Sequence, residues 1–174
     1  VAAHCASMSP RSLVLTVALA AAVTVLGSAG ELPDRVASHF GISGRADGFM
    51  PREVFLALMT LTASVLPAAL WWLQVGSARR GRVRIPHAAH WLAPPQRSRT
   101  LAYLAWHAAA FSAGLATFMV FVHWRVVLAH ADEGAAPRLA PWPFFIGLGV
   151  FLVFTLAWAL ALQRRFRDPA RAQP

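Results

Sequence analysis

Four stretches of the chain are almost continuously apolar, and the segments between them collect the arginines, carboxylates, glycines and prolines. Ser12 to Ala29 (SLVLTVALAAAVTVLGSA) carries no charge, and Val54 to Val75 is uncharged with Trp71 and Trp72 near its end. Leu101 to Ala129 is the longest and contains His107, His123 and Arg125. Pro143 to Leu162 is again uncharged, with Trp142 at one end and Trp158 near the other. About 20 mainly apolar residues cross a bilayer as a helix, and tryptophans favour the two interfaces. The pattern predicts an all-α integral membrane protein, one domain over residues 1–174, with spans near 12–29, 54–75, 101–129 and 143–162. Pro67 falls inside the second span, where a missing N–H predicts a kink.

Composition agrees with this reading. With 13% charged residues, 57% hydrophobic residues and a mean hydropathy of +0.52, the chain lies outside the globular balance of about 25% charged residues. The net charge of +9 comes from sixteen arginines and no lysine. Eleven of these (Arg11, Arg79, Arg80, Arg82, Arg84, Arg97, Arg99, Arg164, Arg165, Arg167 and Arg171) flank the spans on one side, against Arg35, Arg45, Arg52, Arg125 and Arg138 on or toward the other. The positive-inside rule then puts both termini and the loop 76–100 in the cytoplasm, and loops 30–53 and 130–142 outside. A multi-pass location in a membrane that borders the cytoplasm is the expectation. The basic excess thus sets orientation and attracts anionic lipid; no nucleic-acid partner is expected. Arg11, the apolar run and Gly27-Ser28-Ala29 also have the three parts of a secretory signal peptide, in which case three spans would remain. Cys5 is the only cysteine, which excludes an internal disulfide.

The first outer loop is chemically the richest segment. With Glu31 just before it, "LPDRVASHFGISGRADGFMPRE" (Leu32 to Glu53) holds Asp34, Asp47 and Glu53, so four of the seven carboxylates lie here, beside His39. Pro33, Gly41, Gly44, Gly48 and Pro51 punctuate it into tight turns. The expectation is a compact cap, with Asp47 in the turn Ala46-Asp47-Gly48-Phe49, His39 bonded to backbone, and Glu53 at the favourable start of the second helix. Two metal alternatives weigh less: convergence of Asp34, His39 and Asp47, or an outer zinc site of His39, His123 and His130. His107 and His123 are sixteen residues apart and point to opposite faces of one helix, and no other span carries a histidine, so haem is not expected. Arg125 lies near the outer end, where it can snorkel toward Asp132 or Glu133; His107 reads as an interfacial packing residue ahead of a proton relay. Ala105, Ala109, Ala110, Ala113 and Gly114 form a small-residue face for close helix packing. No triad, phosphate loop or water-excluded carboxylate pair is present, so no catalytic residue, metal or cofactor is expected.

Leu32, Pro33, His39, Phe40, Gly44, Asp47 and Gly48, between a first and a second span, resemble the signature of a bacterial membrane domain of unknown function, number 1648. That domain is also found at the N-terminus of SdpI-like toxin-immunity proteins. Trp91-Leu92-Ala93-Pro94 before the third span resembles the segment that follows in shorter members. The resemblance implies a non-enzymatic membrane protein with a binding or immunity-like role through the outer loop, met by a peptide or ligand, with Leu32, Pro33, Asp34, His39, Phe40, Gly44, Asp47 and Gly48 as its motif. The immunity activity belongs to longer members, with spans additional to the four expected here. The alternative is an accessory subunit that packs against a larger membrane complex.

Overall fold

The computed structural model describes residues 8–131 and 135–167; Cys5, Asp132, Glu133 and Arg171, named above, lie outside the described residues. The chain is mostly helical. Helix α1 (Pro10–Gly27) is prolonged by a 3-10 turn (Ser28–Glu31) and leads into a hairpin of strands β1 (Arg35–Phe40) and β2 (Ala46–Pro51). Then follow α2 (Arg52–Arg79), the one-turn helix α3 (Ala88–Trp91), α4 (Pro94–Ala129) and α5 (Pro141–Phe166). Four helices are long and apolar enough to cross a membrane, and the chain is a small multi-pass membrane protein. The hairpin departs from the all-α expectation: the compact loop is built from paired strands.

Helix ends follow from local sequence. Ser9 and Ser12 close a capping box at the start of α1, with Pro10 in the first turn, where its missing N–H costs nothing. Pro94 and Pro95 do the same for α4, which starts earlier than its apolar stretch and takes up residues 94–100 of the expected loop. At 36 residues, α4 is about 54 Å long, well beyond the ~30 Å hydrocarbon core.

Helix α4 is the axis of the molecule, since α1, α2 and α5 all pack along it. Toward the hairpin, Ala21 and Val25 of α1, Phe55 and Leu56 of α2, and Val126 and Val127 of α4 enclose Leu32 and Val36. A second cluster joins Val14, Trp71, Val75, Ala108 and Ala109, and a third, at the basic end, joins Ile85, Trp91 and Phe166. Thus α1 is part of the core.

Pro67 leaves α2 continuous. A single π turn, Leu61–Val65, precedes it; widening the helix there relieves the proline ring of the carbonyl one turn back. The polar groups nearby find acceptors on other helices. Ser64 Oγ donates to Ala18 O at 2.8 Å, Ser112 Oγ to Pro67 O at 2.9 Å and Trp71 Nε1 to Ala105 O at 3.0 Å. In apolar surroundings an unmade hydrogen bond is costly, so each of these fixes how two helices lie on one another.

The small-residue face of α4 divides in two. Ala105, Ala109 and Ala113, with Ser112 and Ala116, face α1 and α2. Gly114 faces α5: a Cβ there would overlap the Phe154 ring, and reciprocally a Cβ at Gly147 of α5 would overlap Phe121 of α4. Ala110 is exposed and does not belong to the packing face, because one residue turns a helix by 100° and Ala109 already takes the buried direction. His107 stacks between Tyr103 (5.4 Å) and Trp158 (4.6 Å), whose Nε1 donates to His107 O at 2.8 Å.

Candidate functional site

The hairpin is an unusually irregular pair of strands. Its register runs Arg35↔Pro51, Val36↔Met50 and Ala37↔Phe49, then slips on both sides of His39↔Gly48 before Phe40↔Ala46. Ser38 and Asp47 are the extra residues, and such bulges re-aim side chains. Val36 and Ala37, ahead of the bulges, are both fully buried, while beyond them His39 and Asp47 emerge together on the outer surface. His39 Nδ1 and Asp47 Oδ1 lie 2.5 Å apart, with side chains 74% and 54% exposed. Gly48 sits directly across, and a Cβ there would stand only 3.0 Å from His39 Cβ. The chain reverses at Gly41–Arg45, closed by Gly41 N–H to Arg45 O at 2.9 Å and Gly44 N–H to Gly41 O at 2.8 Å. Asp47-Gly48 is therefore not the turn that the sequence suggests; the pair sits within β2, where its small size is needed opposite His39.

Three attachments hold the hairpin to the helices. At its base, Arg52 donates from Nη1 to Leu32 O at 3.0 Å and reaches Asp34 Oδ1 at 3.3 Å, while its own N–H donates to Asp34 O at 2.9 Å. Along β1, His130 at the end of α4 donates from Nδ1 to Val126 O at 2.9 Å and accepts the Ala37 N–H at Nε2 at 3.1 Å. At the tip, the segment before α5 lies alongside: Leu139 N–H donates to Gly44 O at 2.8 Å and Ala46 N–H to Pro137 O at 3.3 Å. Gly44 has φ +77° and its Cα abuts the Leu139 carbonyl, so no side chain fits there.

The motif residues thus divide by task. Leu32 is buried in the core and Phe40 is packed partly against it; Pro33 and Asp34 shape the base, Gly44 the tip and Gly48 the bulge. His39 and Asp47 present their polar groups outward as a pair, beside Ile42 at the tip and Phe49, both exposed, while the exposed Asp34 carboxylate is engaged by Arg52 at the base. Among the described residues no three metal-ligating side chains converge. Asp34 is with Arg52, away from the His39–Asp47 pair, and His39, His123 and His130 each have different partners. His123 lies in the helical core, wholly buried, with Nε2 2.7 Å from Ser28 Oγ and its ring stacked on Phe55 at 5.6 Å. The exposed His39–Asp47 pair offers hydrogen-bonding groups at the surface, and the paired backbone beneath fixes where they point.

Sequence reasoning missed the attachments by Arg52, His130 and Leu139. His130 had a signal, as a histidine seven residues beyond His123 on the face nearest the loop.

Comparison with known families bears on this same stretch. Residues 15–63 match the family model of a domain of unknown function, DUF1648. The DUF1648 segment comprises most of α1, the whole hairpin and the first part of α2 up to the π turn. The resemblance read from Leu32 to Gly48 is borne out, while Trp91 to Pro94 lie beyond the matched residues. No curated protein and no solved structure matches the chain.

Proposed function

We propose that this chain is a non-enzymatic binding protein of the SdpI N-terminal type, set in the bacterial cytoplasmic membrane with both ends inside, and that its hairpin meets a peptide or ligand outside the cell in an immunity-like role. One observation carries this reading: the DUF1648 motif builds a hairpin that is tied down on every side yet turns His39, Asp47, Ile42 and Phe49 outward. Its edges are engaged, at Ala37 by His130 and at Ala46 by Pro137, so strand addition is disfavoured and recognition falls to this outward face. Aromatic and aliphatic anchors beside a few placed polar groups are what small binding surfaces use.

The test has two parts. In a Cys5→Ser background, Ile42→Cys should react with a membrane-impermeant maleimide in intact cells, and Arg84→Cys only after permeabilisation; the reverse would refute the orientation. His39→Ala combined with Asp47→Ala, both exposed, should leave abundance and unfolding temperature unchanged while removing whatever phenotype deletion of the gene produces. Loss of that phenotype only when abundance falls would refute the role of the hairpin.

The accessory-subunit reading has its own support. Helix α5 packs along α4 and, at its basic end, on Trp91 and Ile85, and Ile146, Val150, Val153 and Leu156 are exposed along it, a face that suits either lipid or another helix. The mass of the particle after mild detergent extraction separates the two: a stoichiometric larger assembly favours the subunit, a lone monomer or homodimer favours the binding protein.

A further inference from the structure

At the end of the bundle opposite the hairpin, α2 and α5 flank α4 and leave a cavity of about 310 Å³ between them. Leu73, Leu104 and Trp158 give it apolar walls, and the segment 82–85 that follows α2 brings Arg82 and Arg84 to it. The other arginines described at this end have partners that the structure identifies in several cases. Arg165 lies over the Trp91 ring at 4.8 Å, Arg97 donates to Arg79 O at 3.0 Å, and Arg11 lies over Trp72 at 5.4 Å. Arg82 and Arg84 make no side-chain hydrogen bond, ion pair or ring contact among the described residues. Every described carboxylate (Glu31, Asp34, Asp47 and Glu53) is at the hairpin end, so nothing described near the cavity neutralises the two guanidiniums. His107 also lines the cavity, and its Nε2 has no hydrogen-bond partner among the described residues.

Two guanidiniums with no partner among the described residues, beside an apolar hollow, call for a ligand that is anionic at one end and apolar at the other. The volume is at the lower end of small-molecule sites, about 300–1,000 Å³, and guanidinium suits phosphate better than any other side chain does. We infer that this cavity binds an anionic phospholipid, its phosphate held by Arg82 and Arg84 and the first part of an acyl chain lying along Leu73, Leu104 and Trp158. This differs from the general attraction of a basic segment to an anionic surface, because it requires one lipid per chain at one place. It needs only that the helices stand in a bilayer and is independent of the hairpin's role.

The test uses the full chain in mild detergent, titrated with dioleoyl phosphatidylglycerol and followed by native mass spectrometry. The expected result is one lipid bound per chain, with phosphatidylcholine of the same chains and glycerol phosphate each binding at least tenfold more weakly. Arg82→Gln with Arg84→Gln should weaken phosphatidylglycerol by at least about thirtyfold, the loss of two charge-assisted contacts to one phosphate. The charge-matched control Arg99→Gln with Arg164→Gln, at the same end but outside the cavity, should change it less than threefold. An equal loss in both pairs would mean diffuse attraction, equal binding of phosphatidylcholine would mean no anion site, and equal binding of glycerol phosphate would mean a free phosphate ligand. Each of these overturns the inference.

Discussion

Gly44 is the position at which one methyl group should do most damage. Alanine there must adopt φ +77°, which costs an L-residue about 1–2 kcal/mol. Its Cβ would also overlap the Leu139 carbonyl, a backbone group that cannot rotate aside. The segment 137–139 must then move off the hairpin tip, giving up the Leu139 N–H to Gly44 O and Ala46 N–H to Pro137 O bonds, each worth about 0.5–1.5 kcal/mol net. The sum is about 2–5 kcal/mol, by adding 1–2 for the backbone to 1–3 for two bonds. Gly81 supplies the internal control. It too has a positive φ, +74°, but a Cβ there meets nothing within 4 Å, so Gly81→Ala should cost only the backbone share of about 1–2 kcal/mol. Amide hydrogen exchange in one detergent distinguishes them: Leu139 should exchange about 5- to 150-fold faster in Gly44→Ala, for 1–3 kcal/mol of lost docking, and at the parental rate in Gly81→Ala. Equal destabilisation by the two variants, with Leu139 unaffected in both, would refute the docking of 137–139 on the hairpin.

Two further substitutions probe the other attachments. His130→Ala removes the Nε2 that accepts the N–H of the fully buried Ala37 and should cost about 1–3 kcal/mol, read as faster exchange at Ala37; His130→Gln, which retains an acceptor oxygen, should recover part of it, and no change in either variant would deny that His130 holds β1. Gly114→Ala should loosen α5 by about 1–3 kcal/mol through overlap with Phe154, measured as a lower unfolding temperature, and Phe154→Leu in the same chain should restore part of the loss; additive destabilisation would show that the two residues do not meet.

The helices were legible because hydrophobic content alone demands them: an apolar run in lipid must satisfy its backbone internally. The hairpin was legible as a compact, turn-rich cap but not as strands. Val36 and Ala37 are buried in succession, the second beneath His130, and the register is then broken twice, at Ser38 and Asp47, so no period of two survives to be read. For the same reason Asp-Gly looked like the turn, although the reversal lies at Gly41–Arg45, where only tertiary contact with Leu139 reveals why Gly44 is a glycine. The small-residue stripe on α4 was half legible. Spacing predicted Ala105, Ala109 and Ala113, but spacing cannot say that Gly114 turns to a different helix or that Ala110 faces outward. Pairings such as Arg52 with Leu32 and Ala37 with His130 join residues 20 and 93 positions apart, and no local pattern encodes a partner at that distance.

The buried pair Ser28–His123 tests whether a histidine in the helical core is there for structure or for function. Ser28 Oγ donates to Val25 O at 2.8 Å, and a hydroxyl has one proton. With that proton on Val25 O, His123 donates from Nε2 to Ser28, and Nδ1, which has no partner among the described residues, is left as an acceptor; this is the tautomer under test. Ser28→Ala strands that buried N–H and should destabilise by about 1–3 kcal/mol. His123→Phe removes the same N–H and retains the ring that stacks on Phe55, so the double variant should be more stable than Ser28→Ala alone, with the difference measured as an unfolding midpoint in one detergent. Equal or greater destabilisation in the double variant would refute this assignment of the proton. If stability recovers and the deletion phenotype is complemented as well, the pair serves only to join α1 to α4. If stability recovers and complementation fails, His123 acts beyond packing, and the proton on its Nε2 is the group to follow.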